Sequence, residues 1–143
     1  SLMICGAMLG VNVKICSPDG FEADSQIVEK AKSLSEFGSK ISISNDPLKA
    51  VKEAQVIYTD VWASMGQEEE HLKRKKIFEN YKVDQKLIGL ADEEVIILHC
   101  LPAHRGEEIT EEALESKNSH VFDQAENRLH VQQALLAVQL GGL

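Results

Sequence analysis

The chain has 143 residues, enough for one domain with a buried core, and 43% of them are hydrophobic. Its 15 basic and 23 acidic residues give a formal net charge of −8, which opposes binding to nucleic acid. We therefore expect no nucleic-acid partner. No apolar run approaches the roughly 20 residues that cross a bilayer, so we expect no membrane role either.

The cysteines favour a reducing, intracellular setting. Cys5, Cys16 and Cys100 are odd in number, and their spacing fits neither a zinc motif nor a secreted disulfide framework. The opening SLMICGAMLG does not have the pattern of a signal or transit peptide. We therefore expect a cytoplasmic protein.

Predicted strands and helices alternate from the start of the chain. Residues 11–16 predict a short buried strand that ends in the turn SPDG. Asp24 is a good N-cap for a helix that Gly38 ends. Four apolar residues recur in this helix at helical spacing: Ile27, Ala31, Leu34 and Phe37.

The same alternation continues to the end of the chain. Further predicted elements are a strand at residues 41–44, a short helix begun at 45–47, a strand at 56–60, a charged helix around 67–80, a strand at 95–100, a helix at 110–116, a last strand at 120–123 and a helix at 125–140. Strands apolar on both faces that alternate with helices predict an α/β fold with a parallel sheet. We expect one Rossmann-like, three-layer domain over residues 1–143.

Two features predict that this domain is incomplete. The segment SLMICGAMLG resembles the end of a helix closed by Gly10, but no strand precedes it, so the first strand is expected to be missing. The helix at 125–140 has two apolar stripes where a surface helix needs one. Its second stripe indicates either a partner outside this chain or a central core helix.

Two polar loops follow predicted strands, where open parallel sheets bind their ligands. The first is DVWASMG, residues 60–66. Its Asp60 carboxylate and Ser64 hydroxyl, with Gly66 allowing close backbone approach, would suit an ammonium group. On spacing alone a helix-capping role for Asp60 or Ser64 is the more favoured interpretation, and Trp62 is expected to pack.

The second loop is HCLPAHRG, residues 99–106. Its Cys100 could be a nucleophile, a ligand or a small buried side chain, and the last is the default. A metal site would need His99 and His104 to converge with Cys100, yet adjacent strand residues point to opposite faces. No histidine is placed by sequence to activate the thiol. We expect no metal and no cofactor.

A third patch is FDQAENRLH, residues 122–130, where Arg128 lies just inside the last helix. Its guanidinium offers rigid donors for a carbonyl or phosphate oxygen. The alternative is an exposed arginine paired with Glu126 or Asp123.

Together, in this order, DVWASMG, HCLPAHRGEEIT and FDQAENRLH resemble the ornithine carbamoyltransferase family, specifically its C-terminal, ornithine-binding domain. That family transfers the carbamoyl group of carbamoyl phosphate to the side-chain amine of L-ornithine, which gives citrulline and phosphate. The resemblance covers nearly the whole chain and implies that the two loops bind substrate.

The resemblance also implies roles for individual residues. Asp60 would accept hydrogen bonds from the α-ammonium group of ornithine, with Ser64 and Met65 at the same end. Cys100 would contact the reacting amine. The carbonyl of Leu101, before a cis bond to Pro102, would bind the carbamoyl amide, and Arg128 would polarise the carbamoyl oxygen.

The sequence also departs from the family pattern. The phosphate-binding Ser-x-Arg-Thr and His-Pro-x-Gln motifs of the N-terminal carbamoyl-phosphate domain are missing, as is the Gly-Asp-Gly-Asn-Asn stretch before the first helix. Gln124 stands where a glutamate is frequent. We therefore expect the 143 residues to be inactive without that domain, with which the family forms homotrimers.

Rival functions share this fold. Aspartate, acetylornithine and putrescine carbamoyltransferases use similar chemistry, and the SMG loop and the cysteine of HCLP favour ornithine over them. A non-catalytic amino-acid-binding module is the alternative from a different class.

Overall fold

The computed structural model describes residues 1–63 and 68–141, in two compact units. The units are Ser1–Lys52 and Glu53–Leu143. Each has parallel strands flanked by helices, so the predicted α/β class is confirmed. The single domain over residues 1–143 stays a prediction.

The first unit pairs two strands in parallel. Its elements are α1 (Leu2–Met8), β1 (Val13–Cys16), α2 (Ser25–Ser33), β2 (Ile41–Ser44) and α3 (Pro47–Ala50). In the register of β1 and β2, Val13 lies opposite Ile41. The core of this unit is formed between α1 and α2 by Met3, Ala7, Val28 and Ala31.

Helix α2 begins where the sequence predicts and ends early. The Asp24 side chain accepts hydrogen bonds from two backbone N–H groups of the first turn, which confirms it as the N-cap. The helix ends at Ser33 instead of reaching Gly38, because residues 34–36 form tighter backbone turns. Its buried face contains Val28 rather than the predicted Ile27, which is 46% exposed.

The second unit contains the other parallel pair. Its elements are β3 (Val56–Thr59), α4 (Glu68–Phe78), a 3-10 helix (Glu79–Tyr81), α5 (Gln85–Ile88), β4 (Ile96–His99), α6 (Glu111–Leu114) and α7 (Val121–Gln139). Helix α5, capped by Asp84, was not predicted. The largest fully buried apolar side chains of this unit are those of Val95, Ile97, Ile109 and Val121.

The predicted strand at residues 120–123 is wrong. Only Ser119 forms a bridge with Ile97 of β4, and the chain then turns directly into α7. The backbone N–H of Gln124 already bonds to the carbonyl of His120 in the first helical turn. The helix therefore starts about one turn before the predicted residue 125, because the strong helix formers from Gln124 onward extend the helix upstream to Val121.

Both apolar stripes of α7 face solvent. Leu129 and Leu136 on one stripe and Leu135 and Val138 on the other are each 57–59% exposed. The core-helix interpretation of α7 is therefore wrong for this chain. Among the helices in residues 1–63 and 68–141, none combines the length and the hydrophobicity required of a membrane span.

Candidate active site

The two predicted ligand loops meet at the carboxyl ends of β3 and β4. The strands pair in parallel with Thr59 opposite His99, so Asp60 and Cys100 leave the sheet side by side. The Cys100 thiol donates a hydrogen bond to Asp60 Oδ1 at 3.0 Å. This contact confirms that both loops place side chains on one edge of the sheet.

The environment of Cys100 keeps its thiol protonated. Burial raises the pKa of Cys100, and the hydrogen bond to Asp60 and that carboxylate's negative charge raise it further. Asp60 Oδ1 also accepts a hydrogen bond from the backbone N–H of Val61 at 2.7 Å. A protonated thiol beside a carboxylate is a contact group, because only the thiolate is a strong nucleophile.

Tyr58 adds a group that the sequence reasoning missed. Its hydroxyl accepts a hydrogen bond from Gln124 Nε2 at 3.3 Å, which connects β3 to α7. Burial is the main cause that raises the pKa of Tyr58, and neighbouring Cys100 and Asp60 add to it. The available signal was position along the chain, since Tyr58 lies in β3 two residues before Asp60.

A buried hydrogen bond between two side chains supports the loop of residues 99–106. His99 and Glu108 are both completely buried. The backbone N–H of Leu101 donates to His99 Nδ1 at 2.8 Å, so Nε2 is the protonated nitrogen and donates to Glu108 Oε1 at 3.2 Å. The N–H of His104 donates to the same oxygen at 2.6 Å.

These bonds fix the backbone around Leu101. Burial raises the pKa of Glu108, but the hydrogen bonds from His99 and from the His104 backbone outweigh burial, so the pKa lies below its usual range. Leu101 has a positive φ of 55° and a cis bond to Pro102, as the resemblance implied. Glu108 was not identified from sequence, because nothing in the sequence marks this glutamate as buried.

The expected divergence of His99 from Cys100 is wrong. Donor atoms of Asp60, His99 and Cys100 lie within 4.8 Å of one another. Strand alternation does not apply, because β4 ends at His99 and Cys100 lies beyond it. Both ring nitrogens of His99 are already hydrogen-bonded, so a metal here would have to displace Leu101 or Glu108.

Arg128 lies on α7, one helical turn beyond Gln124, and is exposed. Asp123 pairs with His120, and Glu126 with His130. Within residues 1–63 and 68–141, Arg128 forms no ion pair, so the alternative pairing with Asp123 or Glu126 is wrong there. No hydrogen bond or ion pair in that part of the chain joins Arg128 to Asp60 or Cys100.

The predicted residues Ser64 and Met65 lie outside the described residues. On the N-terminal side of this segment, Trp62 is buried and its ring lies 5.9 Å from that of Phe78, which confirms its packing role. On the C-terminal side, Arg74 of α4 donates to the Trp62 carbonyl at 3.1 Å.

Comparison with known proteins decides the family. A family model described as aspartate/ornithine carbamoyltransferase, Asp/Orn binding domain, matches residues 1–139. The chain belongs to this family. An ornithine carbamoyltransferase of Prochlorococcus marinus (strain SARG) is 65% identical over 143 residues, which are 100% of the chain and 45% of the relative.

Solved carbamoyltransferase structures agree with this assignment. The ornithine carbamoyltransferase from Pyrococcus furiosus has a TM-score of 0.94 and 50% identity, over 100% of this chain and 46% of its own. An N-acetyl-L-ornithine transcarbamylase has a TM-score of 0.81 and 27% identity, over 95% of this chain and 42% of its own. The chain therefore spans just under half the length of these relatives.

Proposed function

We propose that this chain supplies the ornithine half of an ornithine carbamoyltransferase site. The reaction transfers the carbamoyl group of carbamoyl phosphate to the side-chain amine of L-ornithine and yields L-citrulline and phosphate. Family membership and the 65% identical relative of that name support this activity. The contact between Cys100 and Asp60 at the strand ends is the structural observation that carries the proposal.

Asp60 binds the amino-acid end of the substrate in this proposal. Within residues 1–63 and 68–141, the hydrogen bonds to its carboxylate, from Cys100 and Val61, both go to Oδ1, which leaves Oδ2 for the α-ammonium group. A charge-assisted hydrogen bond of this kind is among the stronger ones in proteins. Ser64 and Met65 hold the same end of ornithine.

The reacting amine lies at Cys100 and the Leu101 carbonyl. An amine attacks only in its neutral form, while in water at pH 7 it is mostly protonated, so the site has to select or produce the neutral form. The His99 and Glu108 pair holds the Leu101 backbone in the conformation that presents its carbonyl to the carbamoyl amide. Cys100 acts as a contact group and forms no covalent intermediate.

Arg128 stabilises the transition state. Attack by the amine develops negative charge on the carbamoyl oxygen, and a fixed guanidinium beside that oxygen lowers the barrier. The absence of an ion-pair partner within residues 68–141 supports this role, because the guanidinium is not neutralised there by a neighbouring carboxylate. Neither a metal nor a cofactor takes part in this step.

The other half of the site comes from a carbamoyl-phosphate domain. The relatives are about twice as long as the matched segment, which supports such a partner domain. The exposed apolar stripes of α7 support a covering surface of the same protein. We infer a cytoplasmic homotrimer in which the 143 residues alone are inactive.

The ornithine role of Asp60 is tested in a chimera. These 143 residues replace the corresponding segment of the Prochlorococcus marinus relative, whose identity of 65% favours a folded hybrid. Asp60→Asn removes the charge that binds ammonium, and we expect kcat/KM for ornithine to fall about 10- to 100-fold. Citrulline formation measured against ornithine concentration gives this ratio.

The matched control is Asp92→Asn. Asp92 precedes β4, at the opposite end of the strand from Cys100, and accepts a hydrogen bond from the backbone of Glu94. Its substitution should leave kcat/KM for ornithine unchanged. Equal effects of the two substitutions would refute the role given to Asp60.

Acetylornithine is the closest alternative substrate. The solved N-acetyl-L-ornithine transcarbamylase is 27% identical to this chain, whereas the Pyrococcus furiosus ornithine enzyme is 50% identical. This difference favours ornithine. A competition assay with ornithine, acetylornithine, putrescine and aspartate separates the four amines.

A further inference from the structure

We propose that His71, His104 and Glu107 form a binding site for a divalent transition-metal ion, of which Zn²⁺ is the best fit. His71 lies on α4, and the other two residues lie between β4 and α6. One donor atom from each residue lies within 4.8 Å of the other two. The inference goes beyond the proposed carbamoyl transfer and does not depend on it.

The three side chains already converge. His71 Nε2 lies 2.8 Å from Glu107 Oε2. The rings of His71 and His104 meet edge to face, with their centroids 6.2 Å apart and an interplanar angle of 86°. Ligands about 2.0–2.1 Å from a tetrahedral ion lie roughly 3.4 Å from one another. Small side-chain rotations are therefore enough to close the site.

The donor chemistry suits zinc. Two imidazoles and one carboxylate are ligands that Zn²⁺ prefers, whereas Ca²⁺ and Mg²⁺ favour sites made of oxygen alone. Three protein ligands leave the fourth tetrahedral position to water or another small ligand.

Lys75 orients the carboxylate of Glu107. Its ammonium group donates to Glu107 Oε1 at 3.0 Å, which leaves Oε2 directed towards His71. Hydrogen bonds from outside the ligand set orient metal ligands in this way. The positive charge of Lys75 opposes a nearby cation, but its hydrogen bond holds the carboxylate in position.

The pairing of His71 with Glu107 does not explain why His104 lies beside them. His71 and Glu107 are partly buried, with side chains 32% and 16% exposed, and they satisfy each other. His104 is exposed, and within residues 1–63 and 68–141 its imidazole has no hydrogen-bond partner. A third donor group beside this pair, the His104 imidazole, is the feature that indicates a metal ion.

The cluster is distinct from the candidate active site. It shares no residue with Asp60, His99 and Cys100, the second group of converging donors found among residues 1–63 and 68–141. From the sequence, His104 was considered as a ligand only together with His99 and Cys100, and no metal was expected. The set with His71 was missed because the packing of α4 brings His71 to His104, which spacing along the chain does not reveal.

Cobalt titration of the metal-free 143-residue protein tests the site. Co²⁺ replaces Zn²⁺ with similar geometry and gives visible absorption bands that depend on its ligands. We expect one Co²⁺ to bind per chain without sulfur-to-cobalt charge-transfer absorption, and one equivalent of Zn²⁺ to displace it. Circular dichroism confirms that every variant is folded.

Four variants show which residues bind the metal ion. His71→Ala and His104→Ala should each weaken binding by more than about tenfold, since even changes outside the ligand set cost that much. His130→Ala removes an exposed histidine paired with Glu126 and should have no effect. Cys100→Ser should also bind normally.

Three results would overturn the proposal. The first is no saturable binding of Co²⁺ by the folded protein. The second is binding that survives both histidine substitutions. The third is binding that is lost in Cys100→Ser and accompanied by sulfur bands in the unsubstituted protein, which would place the metal at Asp60, His99 and Cys100.

Discussion

The thiol of Cys100 and the carboxylate of Asp60 act as one unit at the strand ends. The thiol donates to Oδ1, and both burial and the negative charge favour its protonated form. A raised pKa means that the thiolate, the reactive form, is scarce at neutral pH. Because the alkylation rate follows the thiolate fraction, the rate for Cys100 should keep rising with pH beyond about 8.5, the ordinary pKa of cysteine, and level off only at higher pH.

Asp60→Asn tests this coupling. Removing the charge lowers the pKa of Cys100, so at the same pH the thiol should react faster with iodoacetamide than in the unsubstituted protein. Mass spectrometry of the modified peptides measures the rate. Cys16 is the internal control, because its pKa is raised by burial and by Asp46 and should not respond. An unchanged Cys100 rate would contradict the coupling.

Arg128 is expected to act in the transition state. Replacement of a fixed donor at a developing oxyanion costs roughly 100-fold or more in kcat. In the chimera Arg128→Lys should lower kcat by about that factor and change KM for ornithine little, since ornithine binds through other groups. The rate of citrulline formation at saturating substrates measures it.

Arg105→Lys is the matched control for this substitution. Arg105 lies in the same loop as Cys100, but its guanidinium pairs with Glu111 and Glu115. Its replacement should leave kcat unchanged. A similar loss in both variants would indicate that a general loss of guanidinium groups, and not Arg128 itself, affects the rate.

Individual site residues were predictable only where they follow a strand. Asp60 and Cys100 were found because parallel strands end at one edge, and the structure brings them together. Glu108 and Tyr58 were missed, since their roles depend on burial and on contacts with distant residues. Sequence spacing gives the direction of a side chain along one strand but not its tertiary neighbours.

At the scale of a single element, the N-cap of α2 was predictable from the sequence. Asp24 accepts from the N–H groups of Gln26 at 2.8 Å and Ile27 at 3.2 Å. Asp24→Ala leaves these donors without a protein partner and should lower the free energy of unfolding by about 1 kcal/mol. Urea unfolding followed by circular dichroism measures the change.

Glu29→Ala is the comparison on the same helix. Glu29 forms only an exposed pair with Lys32, so its loss should change the free energy of unfolding by less than about 0.5 kcal/mol. If the two substitutions had equal effects, capping by Asp24 would not stabilise α2.

The first residue of helix α7 could not be predicted from a short stretch of sequence. The letters HVFD have the apolar pair of a short strand, yet Val121 is completely buried while Phe122 is 61% exposed. Only Ser119 bridges to β4 before the helix begins. Strong helix formers downstream of residue 123 determined the structure of the segment, which a four-residue pattern could not reveal.

At the scale of the whole molecule, the chain corresponds to just under half of each relative. It spans 45% of the Prochlorococcus marinus protein, and both apolar stripes of α7 are exposed. The fold class was predictable because buried strands alternate with helices along the chain. The exposed surface of α7 was predictable only as a second apolar stripe, and its covering by another segment belongs to the proposed function.

The central claim is that these 143 residues form the ornithine half of a carbamoyltransferase. The most direct measurement is citrulline formation from carbamoyl phosphate and L-ornithine by the chimera with the Prochlorococcus marinus N-terminal half. We predict turnover by the chimera and none by either half alone. A folded chimera that binds both substrates without forming citrulline would contradict the account and favour a non-catalytic amino-acid-binding module.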